Sequence, residues 1–294
     1  MNIIDGKQIA LDIKNEIATE VRKLMSEGLS APHLATLIVG DDGASKTYVG
    51  SIERNCKEVG FIPSVYQFPA TAKESDILEA IDFINQDTEI DGFILQLPLP
   101  AHISKEKILS KISPDKDVDC FTAVNNGKLL LGEETYIPAT PYGTLELLKR
   151  SGIETEGENC VVVGRSNIVG KPLAMLLAKN SHEGNATVTI CHSKTKDLAK
   201  ICAQADILLV AIGQPEMITT EFVKQGAVVI DIGMHRIEDP DSEKGYRLCG
   251  DVKYDEVASK TSAITPVPGG VGPMTMACLL LNTLKAYRKR QNTN

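Results

Sequence analysis

The stretch Val161-Val-Val-Gly-Arg-Ser-Asn-Ile-Val-Gly-Lys-Pro172 has the residue types and spacing to hold a phosphate. A β-branched apolar run breaks at Gly164 into a polar turn, and a helix-like pattern resumes after Gly170. A parallel strand hands over in this way to a helix whose first backbone N–H groups receive a phosphate. The usual dinucleotide fingerprint carries three glycines, G-x-G-x-x-G. This chain is a variant with Gly164 and Gly170, and Ser166 stands where the middle glycine would be. The next strand candidate, Ala186–Ile190, runs into Cys191-His-Ser-Lys-Thr195. A site for NAD usually places an acid near there, on the ribose 2′-hydroxyl. No acid lies between Ala186 and Lys196; Ser193 and Lys194 do, and Arg165 reaches in from the first turn. A hydroxyl and cations suit a 2′-phosphate, because charge-assisted hydrogen bonds to a dianion are strong. The functional reading is an NADP site built from Gly164, Arg165, Ser166, Ile168, Gly170 and Ser193. An ordinary strand–turn–helix with solvated basic residues fits the same turn, and the turn alone does not choose between them.

The elements that must position such a turn follow from periodicity. Ile9, Ile13, Ile17, Val21 and Leu24 have helical spacing within Lys7–Glu27. Leu34–Val39 is a buried-strand run, Ser45–Val59 a helix with Gly60 as its C-cap, Val65–Phe68 a strand and Glu74–Asn85 a helix. Gly92–Leu97 is a strand ended by Pro98-Leu-Pro100, and Ser104–Lys111 a short helix. Asp115–Pro141 is rich in turn formers and reads as a connection. Thr144–Arg150 is helical, and a second βα series has strands at Cys160–Val163, Ala186–Ile190, Ile207–Val210 and Ala227–Ile230. Helices start near Ile168, Thr195 and Thr219, and Gly272–Arg290 is the last long helix. Alternating strands and helices specify an α/β fold with parallel sheets and right-handed crossovers. The expected organisation is two domains around a cleft. One is a Rossmann-like NADP domain over 140–270. The other is an α/β domain of 1–120 completed by a C-terminal helix at about 275–294, with 120–140 as the connection.

Composition narrows the class. With 31 basic and 39 acidic residues the chain is net −8, which argues against nucleic acid or an anionic membrane surface as partner. Lys285, Arg288, Lys289 and Arg290 read as the cationic last turn of a helix rather than a binding patch. The seven cysteines are odd in number and none forms a C-x-x-C pair, so they read as reduced thiols of a cytoplasmic protein, with no metal site. Met1–Gly6 lacks a secretory pattern, and no apolar run approaches the roughly 20 residues that span a bilayer.

Five stretches fall at predicted strand ends or on the helix after the Gly40-Asp-Asp-Gly43 turn. They are Tyr48-Val-Gly-Ser-Ile52, Gln96-Leu-Pro-Leu99, Asp115-Lys-Asp-Val-Asp119, Gly164 to Gly170, and Thr265-Pro-Val-Pro-Gly-Gly-Val-Gly-Pro-Met-Thr275. Together they resemble the methylenetetrahydrofolate dehydrogenase/cyclohydrolase family, essentially end to end. The resemblance implies a folate cleft, NADP as cofactor and a homodimer. It also implies two linked reactions. NADP+ takes a hydride from 5,10-methylenetetrahydrofolate, and water opens the methenyl product to 10-formyltetrahydrofolate. Asp119 matches the family's pterin-binding acid, and one carboxylate can accept a pterin amino group and ring N–H side by side. Read without the resemblance, Asp119 is more readily a cap or turn residue, with Asp117 the better structural candidate. Tyr48 matches a tyrosine that stacks on folate; alone it is also an ordinary half-buried tyrosine. Gln96 matches a helper of the acid–base group, or is a plain strand-end residue. Pro268, Gly269 and Gly270 form a loop that lets backbone approach a flat ligand, or simply a tight turn, and both can hold at once.

One position departs from the family pattern Tyr-x-x-x-Lys: the fourth residue after Tyr48 is Ile52. The resemblance makes that lysine the central acid–base group of the hydrolytic step, and isoleucine transfers no proton. Arg54 and Lys57 point about 200° and 140° away from Ile52 on an ideal helix. Arginine is also a poor proton shuttle at neutral pH. The expectation is a dehydrogenase whose cyclohydrolase step is impaired. Cys120 and Thr122 stand where many members have glycine and histidine, with small effects expected. Two other readings stand beside it: a folate- and NADP-binding regulatory protein without turnover, and another small-molecule dehydrogenase on the same fold.

Overall fold

A computed structural model describes residues 2–242 and 245–293. The chain divides into two compact units, one of residues 1–10 and 140–275, the other of 11–139 and 276–294. This differs from the division expected at both ends of the first domain. The first ten residues leave it because Asn2–Ile3 is a strand paired in parallel with Ala263–Ile264. The segment 120–139 is not a connection but part of the second unit.

In the unit of 140–275, the sheet runs in the order Asn2–Ile3, Ala263–Ile264, Val228–Asp231, Ile207–Val210, Asn159–Val163, Thr187–Cys191, every pair parallel. Ile207–Val210 is buried along its whole length, as a strand covered on both faces must be. Strand order reverses beside Asn159–Val163, which has Thr187–Cys191 on one side and Ile207–Val210 on the other. Doubly wound sheets bind ligands beyond the carboxyl ends of their strands at such a switch point. A hairpin of His235–Glu238 and Tyr246–Cys249 follows, which the sequence patterns did not predict.

The other unit has a parallel sheet in the order Ile62–Phe68, His33–Val39, Gly92–Leu95. The Gly43–Val59 helix packs on it through a stripe of Ser45, Val49, Ile52, Cys56 and Val59. On the turn-rich segment stands a helix that sequence reading missed, Ala123–Leu131. Thr122 caps it, its hydroxyl accepting from Asn125 N at 3.3 Å. The long helix Val271–Thr293 crosses into this unit. There the Asn282 amide donates to the carbonyls of Val118 (2.8 Å) and Ile137 (2.7 Å). Its cations are paired with acids: Arg288 with Glu20, Lys289 with Asp115, Arg290 with Asp91. All seven cysteines are buried free thiols.

Candidate active site

Tyr48, Ile52, Gln96 and Asp119 all belong to the unit of 11–139. The helix that carries the first two is started by Asp42, whose carboxylate accepts from Ser45 N at 2.8 Å. Tyr48 borders the buried stripe and keeps 39% of its surface exposed. Burial of the phenol, and next the charge of Asp119, push it up to about 12, so it stays a hydrogen-bond donor at neutral pH. Gln96 follows the Gly92–Leu95 strand. Its backbone N–H donates to Leu37 O (2.9 Å), and its side-chain amide donates to Leu97 O (2.8 Å), just before the cis Leu97–Pro98 bond.

Asp117 and Asp119 divide their work. Asp117 pairs in parallel beside Phe93, which carries the chain on toward the carboxyl end of that strand. It is buried, and its carboxylate accepts from Phe121 N, Thr122 N and Asn125 Nδ2 at 2.8–2.9 Å. That is a structural role. Asp119 accepts no hydrogen bond from the described residues; burial, and next the charge of Asp117, push its carboxyl up to about 7. An unsaturated carboxylate of this kind can take two parallel N–H donors from a planar heterocycle. The structure therefore brings Tyr48 and Asp119 into each other's field, whereas the Gln96 amide is engaged by its neighbour's carbonyl. Ile52 is 1% exposed, within the apolar stripe one turn beyond Tyr48. Arg54 and Lys57 are exposed, and Arg54 folds back over Gly50. Cys120 adopts φ +57, a left-handed backbone that accounts for glycine in the family pattern at this position.

The glycine turn lies in the other unit. A Cβ on Gly164 would stand 2.3 Å from Ala211 O, and one on Gly170 would stand 2.2 Å from Gly164 O. Strand end and helix start are thus pressed together, which only glycine permits. The Ser166 hydroxyl accepts from Val169 N (3.1 Å) and Gly170 N (3.3 Å), so serine at the middle-glycine position closes the turn that leads into the Gly170–Ala178 helix. Arg165 and Ile168 are exposed on this turn. The neighbouring strand ends beside it, with Gly164 N donating to Cys191 O at 2.9 Å. Beyond it, His192 N donates to Thr195 Oγ1 (2.9 Å) and Lys194 N to His192 Nδ1 (3.1 Å). This prebuilt turn leaves Ser193 and Lys194 exposed. A close-packed glycine cradle flanked by a hydroxyl and two cations fits a phosphorylated dinucleotide. Gly170→Ala is expected to destabilise the unit by about 1–3 kcal/mol through overpacking and to abolish cofactor binding. Thermal unfolding with a dinucleotide titration checks both.

The Pro268–Gly270 loop is held in the same unit. Val267–Pro268 is cis, Lys7 N donates to Gly269 O at 3.1 Å, and a Cβ on Gly6 would lie 1.9 Å from Gly270 O. Sequence reading missed Asp231, a buried acid that ends the apolar run Ala227–Ile230, and Asp251, a buried acid that follows Gly250. Among the described residues no His/Cys/Asp/Glu cluster could hold a metal ion, and no helix is long and apolar enough to cross a membrane.

A parallel sheet with this turn at its switch point is the build of a dinucleotide-binding α/β protein. Comparison with known proteins narrows the class. The family model "Tetrahydrofolate dehydrogenase/cyclohydrolase, catalytic domain" matches residues 4–119, and the family's NAD(P)-binding domain matches 138–291. A "Bifunctional protein FolD" from Cytophaga hutchinsonii is 54% identical over 97% of this chain and 99% of its own length. The crystal structure of the bifunctional FolD enzyme from Campylobacter jejuni is 43% identical with a TM-score of 0.92, covering 99% of each chain. That of Trypanosoma brucei, described as complexed with NADP cofactor and inhibitor, is 39% identical with a TM-score of 0.90 over 98% of this chain and 97% of that one. The chain belongs to the bifunctional tetrahydrofolate dehydrogenase/cyclohydrolase family.

Proposed function

We propose that the chain oxidises 5,10-methylenetetrahydrofolate to the 5,10-methenyl form with NADP+, and that its hydrolysis of that product to 10-formyltetrahydrofolate is severely reduced. The carrying observation is Ile52, an apolar, buried side chain one helical turn beyond Tyr48. Bound NADP+ supplies the hydride acceptor, and the cofactor carries that chemistry. Asp119 grips the pterin through two N–H donors, and the Tyr48 phenol borders the same ligand as a donor. Neither task needs proton transfer by the protein. Opening the methenyl cation does: attacking water must lose a proton. A positioned acid–base group contributes about 10²–10⁴-fold to such a step, and the inner face of this helix offers only the Ser45 hydroxyl and the Cys56 thiol, which burial pushes up to about 12. The preference for NADP rests on Ser193 and Lys194 standing where an NAD site has an acid, with Arg165 on the first turn. A homodimer in the cytoplasm completes this reading, on the family resemblance.

Methylenetetrahydrofolate and NADP+ are mixed with the enzyme, and NADPH and methenyl absorbances are followed together. NADPH forms and the methenyl compound accumulates, decaying near its uncatalysed rate. Prompt enzymatic decay of added methenyltetrahydrofolate contradicts the hydrolytic half. Ligand binding without NADPH formation makes the chain a folate- and NADP-binding regulatory protein instead.

A further inference from the structure

Asp251 is wholly buried, and its carboxylate faces a loop rather than a cation-rich surface. Oδ2 accepts from Ile212 N (2.8 Å) and Gly213 N (3.2 Å); Oδ1 accepts from Gln214 N (2.8 Å) and stands 2.7 Å from His235 Nε2. Three consecutive amides are thereby fixed at the carboxyl end of Ile207–Val210, on one side of the switch point. Next to them, at the end of the central strand, is Gly164, whose missing Cβ would lie 2.3 Å from Ala211 O. Gly213 and Gln214 are exposed on their outer side. The loop is thus a wall against which the glycine turn rests, and Asp251 holds that wall from behind.

Asp251 is itself held by a second buried acid. Asp231 Oδ1 accepts from Asp251 N (3.0 Å) and Gly233 N (3.0 Å), and Oδ2 accepts from Val252 N (2.9 Å). The Asp231 backbone N–H donates to Thr265 Oγ1 at 2.8 Å. Thr265 in turn lies under the Pro268–Gly270 loop, since a Cβ on Gly270 would stand 2.7 Å from Thr265 Cβ. Two glycines admit the carboxylates: a Cβ on Gly233 would lie 2.4 Å from Asp251 Cγ, and one on Gly250 would lie 1.8 Å from Asp231 Oδ2. Each acid thus sits in a slot that a glycine beside the other leaves open.

We infer that Asp251 is a positioning residue for the dinucleotide, acting through the 212–214 amides on the wall of the Gly164 turn, with Asp231 tying that wall to the Pro268–Gly270 loop. The inference rests on the proposed use of the Gly164 turn for NADP. Neither acid touches cofactor in this role. A neutral amide at 251 would turn an N–H donor toward Gln214 N–H or toward the paired amides of Ile212 and Gly213, so it holds at most half the loop.

The test is an NADP titration of the full chain with Asp251→Asn and Asp251→Ala, alongside steady-state kinetics. D251N weakens NADP binding and raises its KM at least tenfold, while kcat at saturating NADP stays within threefold; D251A is weaker still. A folded D251N that binds NADP within twofold of the unaltered chain overturns the inference. Hydrogen exchange of the unaltered chain tests it without a variant. The amides of Ile212, Gly213 and Gln214 are protected before NADP is added; free-peptide exchange rates there also overturn it. Failure of the unaltered chain to bind NADP counts against the cofactor reading, and the exchange result then decides this inference separately.

Discussion

Replacing Ile52 by lysine is expected to raise the hydrolysis of methenyltetrahydrofolate by about 10²–10⁴-fold, the usual worth of a positioned proton-transfer group. The geometry favours that gain. Position 52 lies one turn beyond Tyr48, and residues four apart share a helix face. The site is 1% exposed, so a lysine there would be desolvated and its ammonium pKa lowered toward neutrality. A neutral amine beside bound substrate can take the proton of the attacking water. Burial has an opposite effect on stability: an amino group in the apolar stripe costs roughly 1–3 kcal/mol, and the variant should melt earlier. Hydride transfer should change little, because it needs orientation rather than a base. Parallel assays of both reactions check this. Unchanged hydrolysis in a folded I52K protein would mean that the missing lysine is not what limits the second step.

Asp119→Asn is expected to trade function for stability. With an amide in place of the carboxylate, one of the two pterin donors faces another donor, and folate affinity should fall by about 10- to 10²-fold, since hydrogen bonds to charged groups are worth about 1.5–3 kcal/mol. The same acid sets a pH dependence. Burial pushes its carboxyl up to about 7 in the ligand-free fold, and on the proposed reading the carboxylate is the form that binds. Affinity for a folate analogue should therefore weaken as pH falls below 7, approaching about tenfold per unit. Stability moves the other way. Burial raises the folded-state value from 3.8 to about 7, so between those limits the folded chain holds a proton that the unfolded chain has lost. Stability is full below the unfolded value and declines as pH rises through the folded one. Asparagine removes that decline. At pH 8 the ligand-free variant should be more stable by roughly 2 kcal/mol, about half the full displacement at about 1.4 kcal/mol per unit because water reaches part of the carboxyl. At pH 3.5 the two should coincide. Denaturant melts at both pH values, with analogue titrations from pH 5 to 8, provide the readouts. Equal stability at pH 8 would mean that Asp119 is better solvated than its surroundings imply.

The strongly periodic elements were legible in the sequence. Ile207–Val210 appears with the same bounds, because a continuous apolar run bracketed by polar turns has few other solutions. Ala123–Leu131 was hidden, since Asn125, Asn126 and Gly127 read as turn formers. What makes it a helix is the Thr122 cap at its start together with Asp117, outside the helix, accepting from Asn125. The short Asn2–Ile3 strand has no periodicity to read and exists only through its pairing with Ala263–Ile264. At the site, Asp119 and the glycine turn were nameable because their motifs are local. In sequence Ser166 is only a missing glycine, whereas in the structure its hydroxyl accepts from Val169 N and Gly170 N and closes the turn. Asp231 and Asp251 escaped notice because each is a lone acid in sequence, and their meaning lies in which distant amides they receive.

The pairing of Asn2–Ile3 with Ala263–Ile264 bears on how the protein can be dissected. The cofactor-binding half is not one uninterrupted coding segment, since the polypeptide passes between halves near residues 10, 139 and 275. A truncated gene for 140–275 would leave Ala263–Ile264 as a raw, hydrogen-bond-hungry edge and strip Gly6 from beneath Gly270. A faithful isolated half needs the opening decapeptide stitched back on through a linker.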